Sequence, residues 1–306
     1  MTRMPVDDRP MLGMLLMTGF CVLAPLGDSI AKILGDTIPL AQLLFVRFAM
    51  QAMILVPLAV ASRIDLRLPP RVLRLTLLRT LLHIVGIGAM FASLRYLPLA
   101  DAIAIAFVMP FLMLLLGKFV LGEQVGPYRL GACLVGFIGT LLVIRPNYAE
   151  VGAPALLPLI VAVAFALFML VTRQVAKAAD PIALQGVSGV IATVLIGAMM
   201  LLAPETSGAA FPLEMPSPRD TALLAAIGVL GTVAHLLMTW SLRLAPSATL
   251  APMQYLEIPF ATLIGWMIFR DLPDAMASAG IALTVAAGLY VIHREQLAAR
   301  RATREA

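Results

Sequence analysis

Glu257 is an acidic residue that lies near the middle of a long apolar stretch. A charged side chain in hydrocarbon costs about 2.5–3.5 kcal/mol on insertion scales, so such a residue usually has a partner or a function. We expect Glu257 to bind a substrate ammonium group or to carry a proton. The alternatives are a structural ion pair and a protonated carboxyl bonded to backbone. Arg47, in another apolar stretch, would bind a substrate carboxylate or pair with Glu257 or Asp28.

Two histidines also lie within apolar stretches. His83 follows Arg79 by one helical turn, and His235 lies in a later stretch. An imidazole donates to a carboxylate or titrates near neutrality, so both histidines are candidate substrate contacts, with simple packing as the alternative. Arg79 is near the end of its stretch, where an arginine can reach water along its own stem, and it is not assigned to the site.

Asp28 and Lys32 are spaced i, i+4 near the end of the first apolar stretch, so they share a helix face. We expect an interfacial salt bridge, or a gate that opens and closes. No spacing of His, Cys, Asp and Glu resembles a metal site, and the two cysteines are expected to be buried and inert. The sequence therefore predicts no metal and no cofactor.

Other side chains in these stretches would shape a binding site. Gln254 and Tyr255 have polar tips that need partners, and Phe107 and Met109 would add an apolar wall. Trp240 is either a further substrate contact or an anchor at the membrane interface. Four prolines lie inside the stretches and are predicted hinges, because each removes a helix hydrogen bond: Pro25, Pro110, Pro252 and Pro259. A static kink that packing fills is the alternative.

The composition places these residues in a membrane protein. The chain has 306 residues, of which 61% are hydrophobic and 13% charged, whereas soluble domains are about 45–50% apolar and about 25% charged. Apolar runs long enough to cross a bilayer recur along the chain. They predict an all-α protein with ten spans, at residues 11–31, 39–61, 73–94, 99–119, 127–145, 155–174, 182–203, 220–242, 247–269 and 275–293.

The net charge of +5 does not indicate a nucleic-acid partner, because the basic residues sort by loop. If the N-terminus is cytoplasmic, Lys and Arg favour the cytoplasmic segments by about three to one. This bias predicts a multi-pass protein of the bacterial inner membrane with both termini in the cytoplasm.

Residues 93–145 and 241–294 resemble two copies of one unit, with an offset of 148 or 149 residues. The matched positions are Ser93/Ser241, Arg95/Arg243, Pro98/Pro246, Pro110/Pro259, Glu123/Asp271, Gly131/Gly280 and Gly139/Gly288. Five spans separate the copies, and because five is odd the second half enters the membrane in the opposite orientation. The chain is therefore predicted to be an inverted repeat, with halves 1–148 and 149–306, which is typical of secondary transporters.

These same residues resemble the drug/metabolite transporter superfamily in its EamA-type, ten-helix form. Its motifs match at Pro110, Leu121-Gly122-Glu123, Gly131 and Gly139 in the first copy, and at residues 254–259 and Gly265-Trp266 in the second. The second copy departs from the pattern at Arg270-Asp271. The resemblance implies a basket of two five-helix halves around a central cavity, lined by the third, fourth, eighth and ninth helices and gated by the first and sixth.

Within this superfamily, the chain most resembles the amino-acid exporter branch, including exporters of aromatic amino acids. We therefore expect a secondary transporter that exports amino acids or similar metabolites by alternating access, with Glu257 on the ammonium and His83 or His235 on the carboxylate. Residues 27–32 resemble a motif of relatives that import riboflavin or S-adenosylmethionine, so uptake of a cofactor precursor is the alternative. An enzyme or a lipid scaffold is disfavoured, because no nucleophile–base set is present. Partners are the small-molecule substrate and membrane lipid, and a monomer is plausible.

Overall fold

The computed structural model describes residues 9–122, 126–202 and 213–305, and the regular structure in these ranges is helical. The predicted repeat position Glu123 lies outside them. The α-helices are α1 Pro10–Leu34, α2 Leu40–Ala61, α3 Pro70–Ser93, α4 Leu99–Ala106, α5 Met109–Leu121, α6 Pro127–Val151, α7 Leu157–Ala176, α8 Pro181–Leu202, α9 Pro218–Leu244, α10 Ser247–Leu250, α11 Glu257–Phe269 and α12 Ala275–Glu305. Short 3₁₀ segments at Ala153–Leu156 and Ala251–Leu256 precede α7 and α11.

The described residues contain eight helical stretches long and apolar enough to cross a membrane, together with two shorter apolar stretches, Met253–Phe269 and Ala275–Tyr290. Every predicted span falls on one of these, and ten crossings remain a prediction. Many large apolar side chains are exposed on the outside of the bundle, Leu15, Met53 and Val194 among them. A surface of this kind suits hydrocarbon and would be unusual in water. The chain is accordingly a multi-pass membrane protein.

The predicted continuous spans 99–119 and 247–269 are both interrupted. The first breaks at Phe107–Val108, between α4 and α5, and Pro110 lies in the first turn of α5. The second changes to a 3₁₀ segment at Ala251–Leu256 before α11 begins at Glu257. A proline is tolerated at the start of a helix, where no intrahelical donor is needed, but it disrupts the interior of one. The prolines of these spans therefore coincide with breaks in the helices and not only with kinks.

The other two predicted hinges differ in their setting. Pro25 lies inside α1, which continues past it as a helix. Pro252 lies in the 3₁₀ segment, and its side chain is outside the described part of the structure.

Four helix pairs make the most extensive contacts in the bundle: α1 with α9, α3 with α7, α2 with α8, and α6 with α12. Small residues allow the backbones to approach at these crossings, as is common between membrane helices. The closest case is α6 against α12, where a Cβ on Gly139 would lie 2.6 Å from the carbonyl oxygen of Gly280. This contact leaves no space for a side chain at either glycine.

Gly139→Leu is expected to lower the free energy of unfolding by about 1–3 kcal/mol, because the larger side chain must push α6 and α12 apart. Gly131→Leu is the matched control, since it lies on the same helix and nothing lies within 4 Å of a Cβ there. Thermal unfolding of the purified protein in detergent measures both. Equal midpoints for the two variants would contradict the close crossing.

Candidate functional site

A small cavity of about 60 Å³ lies in the centre of the bundle. Its walls come from α1, α2, α3, α7, α9 and the two interrupted spans, and they are mostly apolar. Four phenylalanines contribute to the wall: Phe20, Phe91, Phe107 and Phe165. The two helix breaks meet at this cavity, since Phe107 and Met109 flank the first break and Glu257 follows the second. Phe107 and Met109 were both predicted to belong to the site.

Four ionisable residues from four helices line the same cavity: Asp28 on α1, Arg47 on α2, His235 on α9 and Glu257 on α11. Glu257 is 7% exposed although it opens a helix. The positive end of the α11 dipole therefore faces this carboxylate, which favours a negative charge there. All four residues were singled out from the sequence, and the structure brings them together on one surface.

Arg47 is held by the helix opposite. One guanidinium nitrogen lies 3.0 Å from His235 Nδ1. The same Nδ1 also lies 3.0 Å from the carbonyl oxygen of Gly231, which can only accept, so Nδ1 meets a donor and an acceptor at equal distance. The adjacent guanidinium charge favours the neutral form of the imidazole. A Cβ on Gly231, one turn before His235, would lie 2.9 Å from Arg47 Nε. The absence of a side chain at Gly231 makes room for the guanidinium.

His83 does not line the cavity, contrary to its predicted role. Its ring lies behind His235, with a centroid separation of 4.3 Å, and stacks on Phe168 at 4.5 Å. Phe48 and Phe165 cover its edges. The sequence shows which helix carries a histidine but not how far that helix is rotated about its axis, and packing of α3 on α7 turns this side chain away from the cavity.

Arg79 is fully buried, so the expectation that it reaches water is wrong. Its Nε donates to Thr172 Oγ1 at 3.1 Å, and Nη1 donates to Ser188 Oγ at 2.8 Å. The guanidinium also lies over the ring of Phe168 at 4.8 Å. Because α7 and α8 pack over α3 here, the nearest polar groups belong to those helices and not to water.

Gln254, Tyr255 and Trp240 also lie outside the cavity lining, so the structure does not support their predicted contacts with a substrate. Gln254 is buried, and its amide donates to the sulfur of Met169 at 2.9 Å. Tyr255 is fully buried and points at α6, where a Cβ on Gly136 would lie 2.6 Å from its hydroxyl oxygen. Trp240 is half-buried towards the end of α9. Packing of the 3₁₀ segment against its neighbours directs the first two side chains away from the cavity.

Lys32 does not form the predicted ion pair with Asp28. Its ammonium donates to the carbonyl oxygen of Leu97 at 3.1 Å and to Asp271 at 3.3 Å, and it lies 4.9 Å from the ring centre of Phe269. Asp28 faces the cavity instead. Lys32 is close to the end of α1 and can therefore reach the α3–α4 and α11–α12 connections. We call this contact the Lys32 latch.

A second basic contact connects helix ends elsewhere in the bundle. Arg173, in the last turn of α7, donates to the carbonyl oxygen of Leu242 on α9 at 2.7 Å. Beside it, Arg243 lies 3.8 Å from Asp180, which precedes α8. We call these contacts the Arg173 latch. From the sequence, Arg243 was singled out only as a matched position of the repeat, and this contact was not predicted.

Comparisons with known proteins agree on the class of protein. A model of the EamA-like transporter family matches residues 11–145 and, a second time, residues 153–293. A crystal structure of 19% sequence identity superposes with a TM-score of 0.67 over 91% of this chain and 95% of that one, which shows a shared fold.

Three curated relatives illustrate the range of names among similar proteins. A riboflavin transporter of Rhizobium johnstonii is 29% identical over 74% of this chain and 72% of its own length. An S-adenosylmethionine uptake transporter of Rickettsia prowazekii is 23% identical over 90% of each chain. A pseudopaline exporter of Pseudomonas aeruginosa is 24% identical over 85% of this chain and 88% of its own.

Lys32→Ala is expected to increase access to the cavity, because it removes a contact that joins three elements. The reporter is Gly27→Cys, since Gly27 lines the cavity and a Cβ there has nothing within 4 Å; the native Cys21 and Cys133 are fully buried. A partly exposed ion pair contributes about 0.2–1 kcal/mol, so labelling of the introduced thiol by a membrane-impermeant maleimide should accelerate about two- to fivefold. Arg67→Ala, at an exposed residue, is the control. An unchanged rate in Lys32→Ala would show that the latch does not close the cavity.

Proposed function

This chain belongs to the EamA-like transporter family and is a membrane transporter, and we propose that it imports a flat aromatic metabolite of the riboflavin type across a bacterial inner membrane. The observation that carries this proposal is the cavity itself. Its lining is mostly apolar and aromatic with a few polar groups, as is typical of small-molecule sites. Four phenylalanines on its wall would stack on a planar ring or pack against its edges.

The polar groups of the cavity complement the carbonyl edge of a flavin. Arg47 Nη1 and His235 Nε2 are buried and have no hydrogen-bond partner among the described residues. Nη1 carries hydrogens and would donate to a carbonyl oxygen of the pyrimidine ring, and Nε2 would donate or accept according to the tautomer of His235. Asp28 and Glu257 would accept from the hydroxyl groups of the sugar-alcohol chain. Relatives named riboflavin transporters support the same substrate class.

S-adenosylmethionine uptake is the second candidate, and the charges of the cavity favour it. Two carboxylates and one guanidinium line the cavity, so a substrate with an ammonium and a sulfonium would meet complementary charge. A relative named for this activity supports it. Export of an amino acid, the first expectation from sequence, has less support, because the relatives described above are named for riboflavin, S-adenosylmethionine and pseudopaline.

We further propose that the chain consists of two inverted repeats, residues 1–148 and 149–306, with ten crossings and cytoplasmic termini. The two-fold symmetry of an inverted repeat would superpose α1 on α7 and α3 on α9. The α1–α9 pair would then coincide with the α7–α3 pair. The α2–α8 and α6–α12 pairs would map onto themselves, and the two helix breaks onto each other. The double match of the family model also supports this arrangement. The basic residues favour the stated orientation.

Alternating access would then use the two latches in turn. Lys32 on α1 and Arg173 on α7 belong to equivalent helices of the two halves. Each donates to a carbonyl oxygen at or just beyond the end of the third helix of its own half, Leu97 or Leu242. Release of one latch while the other is closed would expose the cavity to one side at a time. The bound substrate would thus cross without an open channel.

Purified protein in liposomes is expected to take up labelled riboflavin with saturable kinetics, because the cavity would bind the flavin ring. Empty liposomes provide the background. Unlabelled riboflavin should compete, and S-adenosylmethionine and aromatic amino acids should compete weakly. Uptake of S-adenosylmethionine without riboflavin would favour the second candidate, and uptake of amino acids alone would restore the first expectation.

Gly231→Ala is expected to raise the KM for riboflavin by about tenfold or more, because the added methyl group displaces Arg47 from its position beside His235. Loss of a hydrogen bond from a charged group costs about 1.5–3 kcal/mol. Gly27→Ala, also on the cavity wall but with free space around its Cβ, is the control and should have a much smaller effect. Equal KM values for the two variants would mean that Arg47 does not contact the substrate.

A further inference from the structure

Asp28 and Glu257 both line the central cavity, although they come from helices at opposite ends of the sequence. Within the described part of the chain, neither carboxylate has a hydrogen bond or lies within salt-bridge distance of a cation. Lys32, one turn after Asp28, contacts Leu97 and Asp271 instead. Two carboxylates therefore face a mostly apolar cavity without a direct partner.

The other titratable groups around the cavity do not balance the two acids. Arg47, on α2, supplies one positive charge among the described lining residues. His235, on α9, lies 3.0 Å from the guanidinium of Arg47, which disfavours a positive charge on the imidazole, and His83, on α3, lies behind it without access to the cavity. The thiol of Cys21, on α1, lies 3.7 Å from the carbonyl oxygen of Met253 and carries no positive charge. One negative charge is left over if both acids are ionised.

An uncompensated charge in a water-poor membrane interior is expensive, and two nearby carboxylates that are both ionised are especially so. We propose that Asp28 and Glu257 bind one shared proton in the substrate-free protein, and that this proton crosses the membrane together with a neutral substrate. The shared proton rests on the charges of the cavity alone. Its transport together with a substrate rests on the proposed function, because it needs a substrate without net charge.

A proton fits this site better than a metal cation. A hard metal cation takes about six or more oxygen ligands. The described cavity wall offers two carboxylates among apolar side chains, and the described residues contain no group of three or more His, Cys, Asp and Glu placed to hold a metal. A proton needs one carboxylate oxygen, which either of the two acids on the cavity wall offers.

The coupling step makes and breaks one O–H bond. Water at one face donates a proton to a carboxylate oxygen, Arg47 balances the remaining negative charge, and the loaded cavity is then neutral before any neutral substrate binds. After the conformational change, the proton returns to water at the other face and the substrate leaves. Each cycle moves one substrate and one positive charge in the same direction.

Infrared difference spectroscopy of the purified protein at neutral pH tests the shared proton directly. The wild type should show the carbonyl band of one protonated carboxylic acid. Asp28→Asn and Glu257→Gln should each remove this band, because Arg47 alone balances the single acid that remains. Asp65→Asn, at an exposed residue, should retain it. A band that survives in Asp28→Asn but not in Glu257→Gln, or no band in the wild type, would overturn the shared proton.

Uptake by wild-type proteoliposomes tests the coupling without relying on any variant. An acidic exterior should accelerate riboflavin uptake severalfold over symmetric pH, uptake should carry inward positive current, and a protonophore should abolish the acceleration. A sodium gradient at symmetric pH should have no effect. Riboflavin uptake that is indifferent to the pH gradient would overturn the coupling while leaving the proposed function intact, whereas no riboflavin uptake under any gradient would contradict the proposed function itself.

Discussion

The two interrupted spans are the constraint on which the rest of the structure depends. A helix that breaks inside hydrocarbon releases backbone groups that lipid cannot satisfy, so such a break is tolerated only where protein or a cavity surrounds it. Here the α4–α5 break lies on the central cavity, and α11 begins at the same cavity with Glu257, directly after the 3₁₀ segment. The breaks place Phe107 and Glu257 on the wall. The surrounding helices then close around the cavity through glycine contacts such as Gly139 with Gly280.

The second constraint is electrostatic. Charged side chains inside a bilayer need compensation, and the cavity concentrates Asp28, Arg47 and Glu257 on one surface. Arg47 lies beside the imidazole of His235, and Gly231 leaves space for its guanidinium. Aromatic and polar groups are interleaved on the wall, since Phe20 and Phe165 both lie beside the ring of His235. The excess of one acid over the single guanidinium is the physical reason for the proposed shared proton.

The sequence predicted which residues sit inside the membrane better than it predicted where they point. Glu257, Arg47 and Asp28 stand out because an ionisable residue in an apolar run is costly wherever its helix faces. His83 and Tyr255 were misplaced because their helices are apolar on nearly all sides, so periodicity does not fix the rotation about the helix axis. Arg79 was misplaced because its partners, Thr172 and Ser188, come from helices about a hundred residues away in the sequence. The Lys32 latch was missed for the same reason.

A structure of the protein with riboflavin bound, solved by electron microscopy in a lipid environment, would test the central claim most directly. The account predicts density for the flavin ring between the two helix breaks, in contact with Phe107 and Phe165, with its carbonyl edge towards Arg47 and His235. Density for the ligand elsewhere in the protein, or an empty cavity at saturating riboflavin, would contradict it.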